Sequence, residues 1–395
     1  MKNIDLVILA GGKGSRIKKF LKNKPKPMMK FNNIFFLQYL INNFSKYPIK
    51  RIFILVGYKN NIIYKHFHNK SFNFINVKCI KENKLMGTGG ALSGLKKNGL
   101  NDFILINGDT LFDVDINDLI KFHSKNKIGC MALTLNKKNI DSKKLNELSL
   151  KKNRISLTKK SKFMNGGVYF FKKRFLNLIP SQPCSLENDI LPKILNNGMI
   201  TGKFYKNFFL DIGTPYYLKI AEKKLKNYFL RPSVFLDRDG VINYDYGYVY
   251  KKKDFKLRKG VLDGLKYLIK KNYNIFIVTN QAGIAKGIFQ EKDFIKLHIY
   301  LKKYFFKKRI FFNDVQFCPF HEKGKIKRFR KKTYLRKPNN GMIKQISKNW
   351  IVNRKKSFMI GDKISDKKCA QKSAIKFFYA KNNFYSQIKE IIRNN

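Results

Sequence analysis

The sequence predicts two α/β domains in tandem. Short apolar runs alternate with segments of helical length along most of the 395 residues, which is typical of strands and helices in mainly parallel sheets. A chain of this length exceeds the usual size of a single core, so we expect more than one domain. Glycine-rich or acidic motifs follow several of the apolar runs directly, and functional groups of such sheets collect at the carboxyl ends of the strands.

The first half of the chain contains the larger set of expected elements. Apolar runs predict its strands, and amphipathic spacing predicts the helices between them. The predicted strands are Ile4–Ala10, Ile52–Tyr58, Val77–Glu82, Phe103–Gly108, Ile128–Leu135, Gly166–Phe171 and Phe204–Ile212. The predicted helices include Phe35–Phe44, Asp115–His123 and a segment from Pro215 to about Tyr228.

A second α/β series begins after a break in the chain. Arg231-Pro232 ends the preceding helix, because a proline disfavours helical backbone at the residue before it. We therefore expect domains at residues 1–228 and 232–395, joined by a short linker near Asn227–Ser233. The predicted strands of the second domain are Val234–Asp237, Ile275–Thr279, Asp314–Cys318, Phe358–Gly361 and Ile375–Ala380.

The net charge of +59 raises the question of a nucleic-acid partner. Lysine outnumbers arginine and occurs with abundant Asn, Ile, Phe and Tyr, which share A/T-rich codons, and the lysines are spread along the whole chain. We therefore attribute the charge to compositional bias and expect no nucleic-acid partner. The charge should still attract anionic substrates such as phosphates, in a salt-dependent way.

The cysteines and the hydropathy pattern bear on location. Five scattered cysteines, an odd number, fit reduced thiols better than a disulfide framework. No run of about 18 apolar residues is present, so we expect no membrane span. The apolar start of the chain runs into glycines instead of a cleavage site, which argues against a signal peptide. We expect a cytoplasmic protein with no membrane partner.

The first predicted strand ends in a glycine-rich loop, Gly11-Gly12-Lys13-Gly14-Ser15-Arg16. Such a loop lets backbone N–H groups approach phosphates without obstruction by side chains. It is not a Walker loop, since the GK[ST] ending is missing, and alone it is equally compatible with a structural turn. Downstream, Pro25 and Pro27 hold Lys26 in an extended segment, which favours the phosphate-binding interpretation.

These motifs together resemble the sugar-phosphate nucleotidyltransferase family, which opens with LAGGxGTRL and then PKPM. Further matches follow in order: Glu82, Gly87-Thr88-Gly89-Gly90-Ala91, Asn107-Gly108-Asp109-Thr110, Asn165-Gly166-Gly167, Glu187 and Asp211-Ile212-Gly213-Thr214. The resemblance implies a Rossmann-like domain with a mixed sheet. It also implies a reaction in which a sugar 1-phosphate attacks the α-phosphorus of a nucleoside triphosphate.

The resemblance assigns roles to residues of this first site. Asp109 and Asp211 are expected to hold Mg²⁺ on the nucleotide phosphates, since a hard cation prefers oxygen ligands. Arg16 and Lys26 are expected to stabilise the charge that develops during transfer. The implied contacts to nucleotide and sugar are Gly11, Gly12, Gly14, Ser15, Glu82, Gly87, Thr88, Gly89, Asn165 and Glu187.

The second series opens with an apolar strand that ends in Asp237-Arg238-Asp239-Gly240. Two acids at i and i+2 suit covalent phosphoryl transfer, because one can attack phosphorus while the other transfers protons. Alone, such a pair is equally compatible with surface acids. Later motifs narrow the choice: Thr279-Asn280-Gln281 after the next strand, Arg336-Lys337-Pro338, and Gly361-Asp362-Lys363 with Asp366 beyond it.

This order of motifs resembles the haloacid-dehalogenase (HAD) phosphatases, and DRDGVIN, TNQAGIAKG, RKPNNGM and GDK narrow the match to heptose 1,7-bisphosphate and histidinol phosphatases. The resemblance implies a HAD-type parallel sheet with a minimal cap. It implies that Asp237 is the nucleophile and Asp239 the general acid/base, with Thr279 and Lys337 on the phosphoryl group. Asp237, Asp362 and the carbonyl of Asp239 are expected to ligate Mg²⁺. Further substrate contacts are expected from Asn280, Gln281, Arg336 and Lys363.

The loop before Arg336 departs from the zinc-binding pattern of these phosphatases. A Cys-Pro-His pair and a later Cys-x-Cys are usual there, whereas this chain has Cys318-Pro319-Phe320-His321 and then Thr333-Tyr334-Leu335. A structural zinc requires four ligands, and at most two remain. We therefore expect that this loop binds no zinc.

The two resemblances together predict a bifunctional enzyme of nucleotide-activated heptose synthesis. A transferase that consumes a sugar 1-phosphate needs a partner phosphatase that spares C1, and removal of the 7-phosphate of D-glycero-D-manno-heptose 1,7-bisphosphate satisfies this need. The first domain most resembles heptose- and mannose-1-phosphate guanylyltransferases, which favours GTP. The alternatives are a hexose-1-phosphate nucleotidyltransferase fused to a phosphatase of other small phosphoesters, and a basic nucleic-acid-binding protein with vestigial sites.

Overall fold

The computed structural model describes residues 4–21, 23–135, 148–158 and 162–394. The chain divides into two compact units, one comprising Met1–Phe44 with Ile49–Leu225 and the other Ser45–Pro48 with Lys226–Asn395. The first unit contains a large mixed sheet and the second a parallel sheet, which confirms the predicted fold class. Among the described residues, none of the helices has the length and hydropathy that a membrane crossing requires.

A ten-stranded sheet is the centre of the first unit, in spatial order β10-β11-β13-β9-β12-β7-β1-β4-β6-β5. The neighbours β7, β1, β4 and β6 run parallel, whereas β12 is antiparallel to β7 and to β9. Two small sheets pair β2 with β3 and β8 with β14. The strands are β1 (Ile4–Leu9), β2 (Lys30–Phe31), β3 (Ile34–Phe35), β4 (Ile49–Val56), β5 (Ser71–Phe72), β6 (Ile75–Lys81), β7 (Phe103–Asn107), β8 (Thr110–Phe112), β9 (Gly129–Leu135), β10 (Leu148–Lys151), β11 (Arg154–Leu157), β12 (Phe163–Phe171), β13 (Ile200–Phe204) and β14 (Phe209–Asp211).

Helices connect these strands. They are α1 (Phe36–Ser45), α2 (Asn60–Phe67), α3 (Gly87–Gly90), α4 (Ile116–Phe122), α5 (Leu191–Asn196) and α6 (Pro215–Phe229). The start of α4 illustrates how the sequence sets a boundary: the Asp115 carboxylate accepts hydrogen bonds from the backbone N–H groups of Asn117 and Asp118, at 3.0 and 3.4 Å. Such a cap satisfies donors that have no partner within the helix.

Burial in the core of the first unit explains the apolar stretches of its central strands. Leu6, Val7 and Ile8 of β1 are completely buried, as expected for a parallel strand covered on both faces. Aromatic side chains fill the space beside the sheet, and the rings of Phe171 and Phe175 stack with their centroids 3.8 Å apart.

The predicted strand Phe204–Ile212 is wrong as a single element. The chain forms β13, which pairs with β9 in the large sheet, and then β14, which pairs with β8 in a separate small sheet. The break lies between the two, where the exposed residues Lys206 and Asn207 join the elements. Apolar content alone could not locate this break, because Phe208 to Ile212 continue the same pattern.

The second unit is built on a five-stranded parallel sheet in the order β17-β16-β15-β18-β19. Its apolar core includes Phe235, Phe276 and Trp350, and the Trp350 ring meets the Phe276 ring edge-on at 5.6 Å. The strands are β15 (Ser233–Leu236), β16 (Asn274–Asn280), β17 (Asp314–Cys318), β18 (Phe358–Gly361) and β19 (Lys376–Tyr379). The helices are α7 (Val261–Lys270), α8 (Ala282–Ala285), α9 (Glu291–Lys307), α10 (Gly341–Asn349), α11 (Ile364–Gln371) and α12 (Phe384–Arg393).

Candidate active sites

A cavity of about 550 Å³ opens at the carboxyl ends of the parallel strands of the first unit. Twelve of the fourteen residues predicted for the first site line this cavity, whereas Ser15 and Gly89 do not. Ser15 begins a short exposed turn of helix, and the Gly89 N–H donates to the Cys184 carbonyl at 3.0 Å. The predicted residues on the cavity wall are Gly11, Gly12, Gly14, Arg16, Lys26, Glu82, Gly87, Thr88, Asp109, Asn165, Glu187 and Asp211.

Two glycines of the first loop occupy positions that only glycine fits. A Cβ on Gly11 would lie 2.5 Å from Oε1 of Glu82, so a side chain there would displace this carboxylate. Gly14 has a φ of +66°, in the left-handed region that side chains disfavour. The loop backbone therefore stays close to the cavity, as a phosphate site requires.

Strand pairing brings together two aspartates that are about a hundred residues apart in the sequence. Thr110 of β8 pairs with Asp211 of β14, and the Ile212 N–H donates to the Asp109 carbonyl at 2.9 Å. Lys26, which is 8% exposed, forms an ion pair with Asp109 at 2.7 Å. The small β8–β14 sheet thus places both carboxylates beside Lys26.

The surroundings of this cluster shift the pKa values of its two carboxyl groups in opposite directions. Burial acts to raise the pKa of Asp109, but Lys26 outweighs it and the pKa lies below its usual value. Burial and the neighbouring Asp109 raise the pKa of Asp211 to about 6. Lys26 and Arg16 act on both carboxyl groups in favour of the charged form, and two adjacent carboxylates supply the oxygen ligands that a divalent cation prefers.

Hydrogen bonds fix the side chains of Thr88, Glu187 and Glu82 on another part of the cavity wall. The Thr88 hydroxyl donates to Glu187 at 2.6 Å and accepts from the Leu186 N–H at 2.9 Å. Oε2 of Glu82 accepts from the Met86 N–H at 2.9 Å, while burial raises the pKa of Glu82. These contacts leave one carboxylate oxygen of each glutamate available to a ligand.

Asn107 is a polar residue of the cavity wall to which sequence reasoning assigned no role. Oδ1 of Asn107 is buried and has no hydrogen-bond partner among the described residues, and Asn107 lines the cavity. Its place directly before Gly108-Asp109, at the carboxyl end of β7, was a signal that could have identified it. A buried acceptor without a partner is a candidate contact for a ligand N–H or O–H group.

The second site lies where β15, β16 and β18 end. Because these three strands are parallel neighbours, Asp237, Thr279 and Asp362 reach the same edge of the sheet. Nζ of Lys337 lies 2.9 Å from Oδ2 of Asp237 and 2.6 Å from Oδ1 of Asp366, and it donates to the Val278 carbonyl at 2.9 Å. The nucleophile predicted from the sequence is thus ion-paired in a buried site.

Among the described residues, one group of three side chains could hold a metal ion: Asp237, Asp362 and Asp366. One carboxylate oxygen of each lies within 4.8 Å of the others. Three carboxylates and one ammonium leave excess negative charge. Burial raises the pKa of Asp237 to about 6. Burial acts to lower the pKa of Lys337, but its two carboxylate partners outweigh burial and raise it. Oδ1 of Asp362 is buried without a hydrogen-bond partner in the described part of the chain, so the cluster fits a divalent cation.

Asp366 is the acid to which sequence reasoning assigned no role. It is completely buried, and its carboxylate also accepts from the Lys363 N–H at the start of α11, at 3.1 Å. Asp366 follows Asp362 by four residues and lies at the start of a helix. This spacing indicates that both acids lie at the same edge of the sheet.

The carboxylate of Asp239 lies outside this acidic cluster. It accepts hydrogen bonds from Arg238, from Asn243 at 2.9 Å and from Gln281 at 3.0 Å. Gln281 also donates to the Thr279 hydroxyl at 2.9 Å. Asp239 is therefore held beside Thr279 by three side chains.

The remaining predicted substrate contacts, Asn280, Arg336 and Lys363, differ in the partners that their side chains contact. Asn280 exchanges two hydrogen bonds with the Lys337 backbone, at 3.0 and 3.1 Å, so its side chain supports the loop that carries Lys337. Arg336 donates to the Phe320 carbonyl at 3.3 Å. Lys363 is exposed and pairs with Asp245 at 3.1 Å. Asn280 is thus committed to the protein, whereas Nζ of Lys363 also lies 3.8 Å from Oδ2 of Asp362 in the acidic cluster.

The loop expected to lack zinc is held by other contacts. Sγ of Cys318 donates to the Phe320 carbonyl at 3.8 Å, and Nδ1 of His321 accepts from the Lys323 N–H at 3.1 Å. The Phe320 ring packs against Phe329 with centroids 5.9 Å apart, and the His321 N–H donates to the Phe329 carbonyl at 3.1 Å. Aromatic packing and backbone hydrogen bonds fix this loop, and the absence of zinc remains a prediction.

Comparison with known proteins separates the two units. The family model described as nucleotidyl transferase matches residues 6–227, and the one described as polynucleotide kinase 3 phosphatase matches residues 236–387. The chain is 38% identical over 148 residues to D-glycero-beta-D-manno-heptose-1,7-bisphosphate 7-phosphatase of Rhodopseudomonas palustris, a match that covers 38% of this chain and 82% of that protein. It is 41% identical over 134 residues to the alpha-heptose counterpart from Campylobacter jejuni, covering 34% and 73%.

A solved structure resembles the first unit. HddC from Yersinia pseudotuberculosis is 29% identical, and the match covers 56% of this chain and 100% of that one with a TM-score of 0.48. The family matches, together with the two acid clusters, show a transferase and a phosphomonoesterase in one chain. The chain belongs to the nucleotidyl transferase family through its first unit and to the family of the heptose-1,7-bisphosphate 7-phosphatases through its second.

Proposed function

We propose that this chain performs two consecutive steps of heptose activation. It removes the 7-phosphate of D-glycero-D-manno-heptose 1,7-bisphosphate and then transfers GMP from GTP to the resulting heptose 1-phosphate. The observation that carries this proposal is the pairing itself. A unit 38% identical to a 7-phosphatase of a 1,7-bisphosphate shares a chain with a nucleotidyl transferase, and the first reaction leaves the kind of 1-phosphate that the second consumes.

In the phosphatase unit, a carboxylate oxygen of Asp237 attacks the phosphorus of the 7-phosphate. The phosphorus–oxygen bond to the sugar breaks, and the sugar oxygen takes a proton from Asp239. Asp239 then accepts a proton from the water that hydrolyses the aspartyl phosphate, which releases phosphate, restores the Asp237 carboxylate and returns Asp239 to its protonated form. Thr279 and Lys337 hold the phosphoryl oxygens, and Lys337 already lies 2.9 Å from the nucleophile.

Mg²⁺ is the cation we propose for both sites. In the second unit Asp237, Asp362 and the Asp239 carbonyl would hold it, and in the first Asp109 and Asp211. When bound, it neutralises phosphate charge and orients the phosphate oxygens. The support in the second unit is the group of three carboxylates around one ammonium and the buried, unpartnered Oδ1 of Asp362 among the described residues. In the first unit it is the approach of two carboxylates in the β8–β14 sheet.

In the transferase unit, an oxygen of the sugar 1-phosphate attacks the α-phosphorus of the nucleotide. The bond between the α-phosphorus and the bridging oxygen breaks, and pyrophosphate leaves. Lys26 and Arg16 stabilise the negative charge that builds up on the transferred group. Glu82, Thr88 and Glu187 line the cavity around the base and sugar.

The test is a substrate panel with separate readouts for phosphate and pyrophosphate. The purified chain is given both anomers of the heptose bisphosphate, each with GTP, ATP, UTP or CTP, and mannose 1-phosphate serves as the control sugar. We expect phosphate from the bisphosphate with any nucleotide, and pyrophosphate with GTP. Turnover of mannose 1-phosphate far above that of heptose 1-phosphate would contradict the heptose assignment and leave only the two reaction types.

A further inference from the structure

Arg238, between the two aspartates of the phosphatase motif, is a completely buried arginine. A guanidinium stays charged in proteins, and burying it without a partner carries a large energetic cost. Its position is therefore determined by the groups that neutralise it. None of the roles assigned so far to the phosphatase residues uses this side chain.

The guanidinium is directed at Asp239. Nε donates to Oδ1 at 3.0 Å, and Nη2 lies 2.8 Å from both carboxylate oxygens. Among the described ion pairs, Asp239 is the acid that Arg238 contacts. A planar guanidinium that contacts a carboxylate through two nitrogens fixes the plane of the carboxylate as well as its distance.

Neighbours other than Asp239 also hold the arginine. Nη2 donates to the Val249 carbonyl at 2.5 Å, and the Phe294 ring lies 5.4 Å from the guanidinium carbon. Burial, and then the charge of Arg238, lower the pKa of His298 well below its usual value, so this neighbour adds no positive charge. Arg238 is thus a rigid cation whose partner is the proposed acid/base.

We propose that Arg238 is a positioning residue of the phosphatase reaction, which acts through Asp239 and does not touch the substrate. It fixes the orientation from which the Asp239 carboxyl gives its proton to the leaving sugar oxygen. It also stabilises the carboxylate that forms when the proton has gone. The inference rests on the proposed role of Asp239 as general acid, and the experiment below tests the two separately.

Leaving-group chemistry distinguishes positioning from a general structural role. An alkoxide leaves poorly unless it receives a proton, whereas a nitrophenolate leaves without one, so only the first reaction needs a general acid. General acid catalysis contributes about 10²- to 10⁴-fold. The ratio kcat/KM covers the steps up to loss of the leaving group and excludes hydrolysis of the aspartyl phosphate, in which Asp239 serves both substrates as base. A residue that acts through the acid therefore lowers kcat/KM for the sugar phosphate selectively, and a residue that only supports the fold lowers it for both substrates.

The experiment measures kcat and KM of the full chain with heptose bisphosphate and with p-nitrophenyl phosphate. For Arg238→Lys, which keeps the charge but loses the planar two-nitrogen contact, we expect kcat/KM for the sugar phosphate to fall about 10- to 100-fold. For the nitrophenyl ester, kcat/KM should change less than about threefold. Arg238→Met should give the larger loss. Trp350 fluorescence identifies any variant whose second unit has not folded, and Arg238→Lys carries the test if Arg238→Met fails.

Two further variants separate the possible outcomes. Arg258 donates to the carbonyls of Gly240 and Lys381 and supports the same loop, so Arg258→Lys should affect both substrates alike. Asp239→Asn should reproduce the selective loss. If it does and Arg238→Lys slows both substrates equally or neither, the positioning role is refuted. If Asp239→Asn itself shows no selectivity, the proposed general acid is refuted whatever Arg238 does.

Discussion

Removing the Lys337 ammonium should destabilise the second unit strongly, and the loss should shrink as the pH falls. Lys337 is buried between Asp237 and Asp366, at 2.9 and 2.6 Å. Lys337→Met keeps most of the side-chain volume and leaves these carboxylates without their cation. Loss of one partner of a buried ion pair typically costs about 3–5 kcal/mol.

The pH dependence arises because protonation of Asp237 can offset the loss of the Lys337 charge in the variant. Asp237 can bind a proton, and burial already raises its pKa to about 6; without Lys337 the pKa rises further. Protonating an aspartate whose unfolded pKa is about 3.9 costs about 4 kcal/mol at pH 7 and about 1.5 kcal/mol at pH 5. Because the folded pKa is raised, this contribution to stability is present at low pH and is lost as the pH rises through the folded pKa. A variant that keeps this proton gains about 2.7 kcal/mol between pH 7 and pH 5, whereas the wild type, whose Asp237 has a pKa of about 6, gains about 1.3 kcal/mol. We therefore expect a deficit of about 3–4 kcal/mol at pH 7 that falls to about 2 kcal/mol at pH 5.

The assay is urea denaturation in EDTA, followed by tryptophan fluorescence. Trp350 is the single tryptophan of the chain and lies in the core of the second unit, so its signal reports the unfolding of that unit. Lys372→Met is the control, because this exposed lysine contacts only the Asn339 side chain among the described hydrogen bonds; it should change stability by less than about 0.5 kcal/mol. A loss below about 1 kcal/mol for Lys337→Met at pH 7, or a loss equal at pH 5 and pH 7, would refute the reasoning.

Four other predictions follow from the two sites. Asp237→Asn should abolish phosphate release and leave pyrophosphate release nearly intact, and Asp109→Ala should do the reverse; a folded variant silent in both assays would contradict two separate sites. Gly87→Ala should lower nucleotidyl transfer at least about tenfold with phosphatase activity unchanged, since Gly87 has a φ of +74° and a Cβ would meet the Cys184 carbonyl; unchanged transfer kinetics would count against this. Elemental analysis of protein purified without chelator should find no zinc, and one tightly bound zinc per chain would show the contrary. Binding to DNA at low salt should vanish steeply as salt rises, and sub-micromolar binding at physiological ionic strength would contradict the compositional origin of the charge.

The strand-end motifs were predictable because parallel strands impose a simple rule. Asp237, Thr279 and Asp362 each follow an apolar run, and parallel pairing brings such positions to one edge. The glycine loop and Asp109 follow the same rule in the first unit. The local sequence therefore predicts many residues of each site, because these residues follow strands that end at the same edge of a sheet.

The contacts that depend on distant pairing were not predictable in the same way. The approach of Asp109 to Asp211 depends on the short strands β8 and β14, which are too short to give a clear periodicity. The ion pair of Lys337 with Asp366 joins a loop to the first turn of α11, and no local spacing relates the two residues. The direction of the Arg238 side chain likewise depends on Val249 and Phe294, which only the folded structure places beside it.

The central claim is that the phosphatase leaves the 1-phosphate for the transferase of the same chain. ³¹P NMR tests it directly: the intact chain is incubated with heptose 1,7-bisphosphate and Mg²⁺, first without and then with GTP. Without GTP, we expect the 7-phosphate signal to be replaced by that of inorganic phosphate while the anomeric phosphate signal persists. Added GTP should then convert the anomeric phosphate signal into the pair of diphosphate signals of GDP-heptose. Loss of the anomeric phosphate before GTP is added would contradict the claim, because the first reaction would then destroy the substrate of the second.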